Sequence, residues 1–225
     1  MSSGSGIFTS AHALKAHLMQ GTGGLAAEVA DVRNDVAAAL APMAAMTVQE
    51  FTNPAAADAA GLEAATATTV SPRTVTAFVA GGTAALTAFG RNVTFTTAGG
   101  TPADAPASAV ITGEDIDGNA QTETVVLAQT ATIASGVKIF KGPLTSVAYA
   151  AADGTGATVS IGFGPLLGLE KTPKTRAGLA APIREIAVGA LVTTGVFSAT
   201  NRSYAPASAP NGTNDYCVFF EYVPA

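Results

Sequence analysis

From Arg91 to Gly164 the apolar and polar positions alternate in short bursts, and the bursts predict a succession of β-strands. Val93, Phe95 and Thr97 alternate with Thr94 and Thr96, a period of two in β-branched and aromatic residues that suits a strand with one buried face. Ala109 to Glu114 and Gln121 to Leu127 are extended again, and Asp117-Gly118-Asn119 between them supplies the positive φ of a tight connection, so a hairpin is expected. Ile133, Val137 and Ile139 form short apolar pieces, and Leu144, Val147 and Tyr149 lead into a turn at Asp153-Gly154-Thr155-Gly156. Val159, Ile161 and Phe163 alternate with Thr158, Ser160 and Gly162, and Gly164-Pro165 is expected to end that strand. Short strands at this spacing favour an antiparallel sandwich or barrel.

Before Arg91 the pattern changes twice. Residues 1–24 are rich in Ser and Gly and read as an arm that is flexible or ordered by a partner. Leu25, Val29, Val32, Val36 and Ala39 then recur at steps of four and three, a helical seam that should stop or kink near Pro42. Such a helix either packs on its own domain or associates with copies of itself or a neighbour. Residues 47–90 are a long Ala/Thr/Gly tract in which Thr74, Val75, Phe78 and Val79 hint at one strand. A structureless loop of that length is unusual in a compact domain, so the tract is expected to run over its own sheet or a neighbouring subunit.

Beyond Gly164, Glu170 to Arg176 reads as a solvated basic loop, Arg184 to Ala190 as helix or strand, and Leu191 to Phe197 as strand. An extended loop from Tyr204 carries an Asn211-Gly212 turn. The closing run Asp215 to Val223 places Tyr216, Val218, Phe220 and Tyr222 on one face and Cys217, Phe219 and Val223 on the other. Apolar on both sides, it should be an interior strand or lie under another subunit. The expectation is a mainly β fold: an antiparallel β-sandwich or barrel-like domain over 91–225, a connector over 51–90, and an N-terminal arm over 1–50 containing a short α-helix.

Composition narrows the function. Of 225 residues 48% are hydrophobic and 12% charged, against roughly 25% charged in an ordinary globular chain. A surface so poor in charge is expected to be covered by subunit contacts. The net charge of −5 and the lack of a Lys/Arg run argue against nucleic acid as a partner. No apolar run reaches the ~18 residues of a membrane span and Met1 to Gly6 has no signal-peptide pattern, so a soluble chain made in the cytoplasm, with no membrane partner, is expected. The single Cys217 is read as a small buried hydrophobe.

Tests for chemistry fail one by one. Asp115, Asp117 and Asn119 match the first ligand positions of a calcium loop, but Ala120 stands where Gly is needed and Val126 where the bidentate Glu is needed. Ser135-Gly136-Val137-Lys138 spells Ser-x-x-Lys without the motifs that accompany it in acylating enzymes. The two histidines, His12 and His17, sit in the arm without other metal ligands, so the usual general base of a hydrolytic triad is missing from the β-rich part. The Gly154/Gly156 and Gly162/Gly164 pairs flank a strand and open no helix, and the glycosylation triplets at Asn92, Asn201 and Asn211 are expected by chance in a Thr-rich chain. Glu114, Asp115, Asp117 and Glu123 read as a solvated hairpin tip, with a cation or partner contact as the alternative. No catalytic residue, cofactor or metal site is expected.

Four stretches carry a resemblance: Arg91-Asn92-Val93-Thr94-Phe95-Thr96, the run from Val110 to Thr124 through Gly113-Glu114-Asp115-Ile116-Asp117-Gly118, Ser146-Val147-Ala148-Tyr149, and Thr158 to Gly164. Together with the ending Ser203 to Tyr216 and its aromatic strand, they resemble segments of virion structural proteins of tailed bacteriophages. The resemblance covers about half the chain and leaves out residues 1–90. It implies a capsid decoration (cement) protein on the phage head surface, often a homotrimer, whose partners are its own copies and the major capsid protein. On that reading Leu25, Val29, Val32, Val36, Phe219 and Tyr222 are the candidate oligomer or capsid interface. A tail-tube or neck protein of the virion is one alternative. A carbohydrate-binding or adhesin-like β module is another, though aromatics make up only 6% and Trp is lacking.

Overall fold

The computed structural model describes residues 45–127, 132–174, 184–187, 190–192 and 195–222. The arm, its expected helix with Leu25, Val29, Val32 and Val36, and both histidines lie outside the described residues. In chain order the strands are β1 (Ala45–Phe51), β2 (Asp58–Ala67), β3 (Arg73–Val75), β4 (Arg91–Gly99), β5 (Ser108–Glu114), β6 (Ala120–Val126), β7 (Thr132–Ser135), β8 (Ser146–Tyr149), β9 (Ala157–Gly168), β10 (Arg184–Ala187), β11 (Ala190–Val192), β12 (Val196–Ser198), β13 (Ser203–Ala205) and β14 (Tyr216–Tyr222). Helix α1 (Ala80–Phe89) lies between β3 and β4.

The fold is mainly β, in antiparallel sheets with a curled half-barrel. One sheet runs β1-β14-β10-β11, a second runs β12-β13-β9-β4-β7 with β2 also paired to β9, and a third runs β3-β8-β5-β6. The second and third sheets share a core of Leu62, Val93, Phe95, Ile111, Val147, Ile161 and Phe163, with Leu86 of α1 packed into it. The first sheet closes over a separate core of Phe51, Leu167, Leu169, Tyr204, Tyr216, Val218 and Phe220.

The β5–β6 hairpin follows from its turn. Gly118 takes φ +82°, and the Asp115 carboxylate accepts the amides of Asp117 (2.8 Å) and Asn119 (2.9 Å), which fixes the register from Glu114–Ala120 back to Ser108–Val126. The closing strand β14 sits between β1 and β10, an interior strand as its two apolar faces require.

Residues 51–90, expected as a connector with one strand near Thr74 to Val79, carry β2, β3 and α1, with Thr74 and Val75 in β3 and Phe78 and Val79 beyond its end. Their alanines and glycines obscure any hydrophobic period, yet small residues are what the packing demands. A Cβ on Gly82 would stand 2.1 Å from the Gly61 carbonyl oxygen, and one on Gly61 would stand 2.6 Å from the Phe163 ring. Helix α1 can therefore lie directly on β2, and Gly90, at φ +71°, ends it by donating to the Leu86 carbonyl at 2.8 Å.

Strand β9 also departs from expectation, because it continues through Gly164-Pro165 to Gly168. Arg91 pairs with Leu167 and Val93 with Phe163, so Asn92 alone faces Gly164, Pro165 and Leu166. A bulge of this kind accommodates a proline, whose missing N–H would leave a gap in a regular ladder. The Asn92 side chain fills the irregularity: its Oδ1 accepts the Leu166 amide at 3.1 Å and its Nδ2 donates to the Gly136 carbonyl at 3.1 Å.

Candidate functional site

Of the four hairpin-tip carboxylates, Asp115, Asp117 and Glu123 are engaged structurally and Glu114 is exposed. Asp115 is occupied by its turn, and hydrogen bonds from Asn119 and Asp117 draw its carboxyl below the usual range against the opposing pull of burial. Asp117 pairs with Arg202, which also donates to the Leu169 and Glu170 carbonyls and so ties the hairpin tip to the first sheet's core. Glu123 accepts the amides of Val137 (2.7 Å) and Lys138 (3.2 Å), and Glu63 pairs with Arg73. Asp104 closes a capping box with Thr101 and lies against Gly100, Gly154 and Gly156, so close that a Cβ on Gly154 would meet its Oδ1 at 1.8 Å. The Asp-Gly-Thr-Gly glycines thus make room for a carboxylate. Among the described residues no group of three or more His, Cys, Asp or Glu is placed to hold a metal ion.

Arg91 is fully buried where β9 passes from one core to the other. Its Nε donates to the Gly164 carbonyl at 2.9 Å, its Nη2 to the same oxygen at 2.5 Å and its Nη1 to the Ala55 carbonyl at 2.9 Å, while the guanidinium lies 5.1 Å from the Phe163 ring centroid. Burial lowers its pKa to about 10, partly offset by Tyr216. It therefore stays charged at neutral pH and acts as a joint between the cores.

The surfaces are of another kind. On the first sheet Phe219 pairs with Val48 across the β1–β14 ladder, and the outward-facing set there is Val48, Glu50, Cys217 and Phe219. Val48 is 51% exposed and Phe219 partly buried. Burial pushes the Cys217 thiol up, with the Glu50 carboxylate adding to the effect, so the cysteine is no ready thiolate. Tyr222 lies on the opposite face, packed partly into the core with Lys171 5.8 Å from its ring centroid. Of the two expected interface residues in the described part, Phe219 belongs to an outward face and Tyr222 contributes mainly to the interior.

A second surface was not singled out from the sequence. In the third sheet Val110 pairs with Thr124 and with Ala148, Thr112 with Thr122 and Ser146, and Ser108 with Val126. These side chains form most of the outward face, with Val126 78% and Val110 38% exposed and no charged residue among them; Glu114, exposed at the turn end of β5, lies on the same side. The signal in the sequence is the alternation Ser108, Val110, Thr112 against Thr122, Thr124, Val126, which leaves one uncharged set facing away from the buried Ala109, Ile111 and Val125.

A groove elsewhere is walled by Ala55–Gly61, Val79, Gly81, Gly82 and Phe163, with Asp58 as its one charged residue. Such a wall offers close backbone approach and little chemistry. Comparison with known proteins found no match to this chain among protein families, curated proteins or solved structures.

Proposed function

We propose that the chain is a non-enzymatic virion structural protein of a tailed bacteriophage, a capsid decoration protein that oligomerises, most simply as a trimer, and binds across major capsid protein subunits to stabilise the head. The observation that carries this reading is the uncharged patch of Ser108, Val110, Thr112, Thr122, Thr124, Val126, Ser146 and Ala148 on the outward face of the β5–β6 hairpin and β8, with Glu114 only at its turn end, in a chain with 12% charged residues. A face of Val, Thr, Ser and Ala gains from being covered and has no charge to desolvate. The aromatic outward position Phe219 beside Val48 offers a second contact on a different sheet.

On this reading the mechanism is mechanical and non-covalent. Each protomer buries modest apolar area, and several protomers held together engage several capsid subunits at once. Attachment at one point raises the effective concentration at the next, so the assembly resists detachment beyond what any one contact supplies. The rigid antiparallel sheets, joined through Arg91, serve as the scaffold that keeps those contacts in register.

The test is co-sedimentation of purified protein with undecorated tailed-phage capsids, comparing wild type with Val126→Glu and Phe219→Glu. Saturable binding that either substitution weakens supports the proposal. Failure of the wild type to bind, under conditions where the capsids remain intact, removes the decoration reading.

A further inference from the structure

We infer that Asn211 is a deamidation site that the fold both activates and holds shut. Asn211-Gly212 is the only Asn-Gly pair in the chain. The absence of a side chain on Gly212 leaves its nitrogen unhindered for attack on the preceding amide. In that reaction the Gly212 nitrogen, having given its proton to water, bonds to Asn211 Cγ; the Cγ–Nδ2 bond breaks and ammonia leaves with a proton from solvent. Water then opens the cyclic imide to aspartate or isoaspartate. Water is the only co-reactant, and Asn211, Gly212 and Thr213 are all exposed to it.

The activating half is the set of donors on Asn211 Oδ1. It accepts the Thr213 amide at 3.0 Å, the Thr213 hydroxyl at 3.0 Å and the Asn214 amide at 2.9 Å. Donors converging on the oxygen that becomes negative in the tetrahedral intermediate stabilise that intermediate. The restraining half is the nucleophile itself, because Gly212 donates its N–H to the Pro54 carbonyl at 2.9 Å. While that bond stands, the nitrogen keeps its proton and is aimed away from Asn211 Cγ.

The restraint belongs to a clasp between two loops. The Asn53 amide donates to Asp215 Oδ1 at 2.9 Å, and the Asn53 side-chain amide, oriented to satisfy both neighbours, donates to the Thr213 carbonyl at 2.6 Å. Asn53 holds φ +46° and Gly212 φ +79°, so the clasp depends on two left-handed residues. Opening it frees Gly212 while the donors on Asn211 remain in place on their own loop. The product adds a negative charge and, as isoaspartate, a methylene in the backbone, so the original clasp does not re-form and deamidation records its opening irreversibly.

The experiment is peptide mapping by mass spectrometry during incubation in mildly alkaline buffer, on folded wild type, folded Asp215→Ala and urea-unfolded wild type, with Gly212→Ala as the chemical control. Folded wild type should deamidate at Asn211 more slowly than the unfolded chain, and Asp215→Ala about tenfold faster than folded wild type, the factor that loss of one ordinary hydrogen bond gives. Thr213→Val in the Asp215→Ala background should slow it again. Should Asp215→Ala fail to fold, Asn53→Gly opens the same clasp and keeps the left-handed backbone. A folded wild type as labile as the unfolded chain, or a folded clasp variant no faster than wild type, overturns the inference.

Discussion

The Arg91 guanidinium and the Gly164 carbonyl meet at 2.9 Å inside the protein, at the bulge where β9 leaves the half-barrel core and enters the core of the first sheet. A buried cation bound to carbonyl oxygens and an aromatic face holds together a strand that a proline would otherwise interrupt. Replacing it removes the donors and leaves the Gly164 carbonyl buried without them, while the carbonyl of exposed Ala55 also loses its partner. Arg91→Met should lower stability in urea denaturation by about 2–4 kcal/mol. Arg91→Lys should recover only part of the loss, because an ammonium cannot reproduce the planar fork.

Glycine spacing under α1 makes a sharper test of the packing. Gly82→Ala drives a Cβ into the Gly61 backbone and should cost about 1–3 kcal/mol. Gly81→Ala, where nothing lies within 4 Å of the new Cβ, should be neutral or gain up to about 1 kcal/mol from helix propensity. The pair, measured by thermal denaturation, separates close approach from propensity at adjacent positions.

Tyr149 sets an alkaline limit. Burial, with the Glu63 carboxylate adding to it, raises its pKa well above that of a free tyrosine, against a smaller opposing effect of Arg73. The unfolded chain thus loses the proton first as pH rises. The folded state's advantage is complete below the unfolded tyrosine's value of about 10 and is lost progressively as pH climbs from there towards the raised folded value. Ultraviolet titration should show tyrosine ionisation that appears only as the protein unfolds, and Tyr149→Phe should reduce its amplitude by one tyrosine.

The two aromatic candidates on β14 should behave differently. Tyr222→Ala removes packing from the first sheet's core and should lower stability, whereas Phe219→Ser should change assembly or capsid binding with a smaller effect on unfolding. Urea denaturation alongside sedimentation distinguishes the two roles.

Much of this architecture was legible where the chemistry is local. The β5–β6 hairpin follows from Asp117-Gly118, and β14 from alternation with aromatics on both faces. The β2–α1 region was not, because Gly61 and Gly82 are selected for what they leave out, and a missing side chain writes no hydrophobic period. The continuation of β9 past Pro165 depends on Arg91 and Asn92, far away in sequence, so no local pattern could announce it. The candidate surface was half visible: Phe219 was named together with Tyr222 without a pattern to tell which of them faces outward, while Val110 and Val126 looked like ordinary positions of a half-buried strand until the register placed them together.

The most direct measurement is light scattering after size-exclusion chromatography, on the full chain alone and after mixing with undecorated tailed-phage capsids. A small closed oligomer, most simply a trimer, that co-elutes with the capsids is the expected result. A monomer that leaves the capsids bare contradicts it, and so does a hexameric ring or polymer that ignores them.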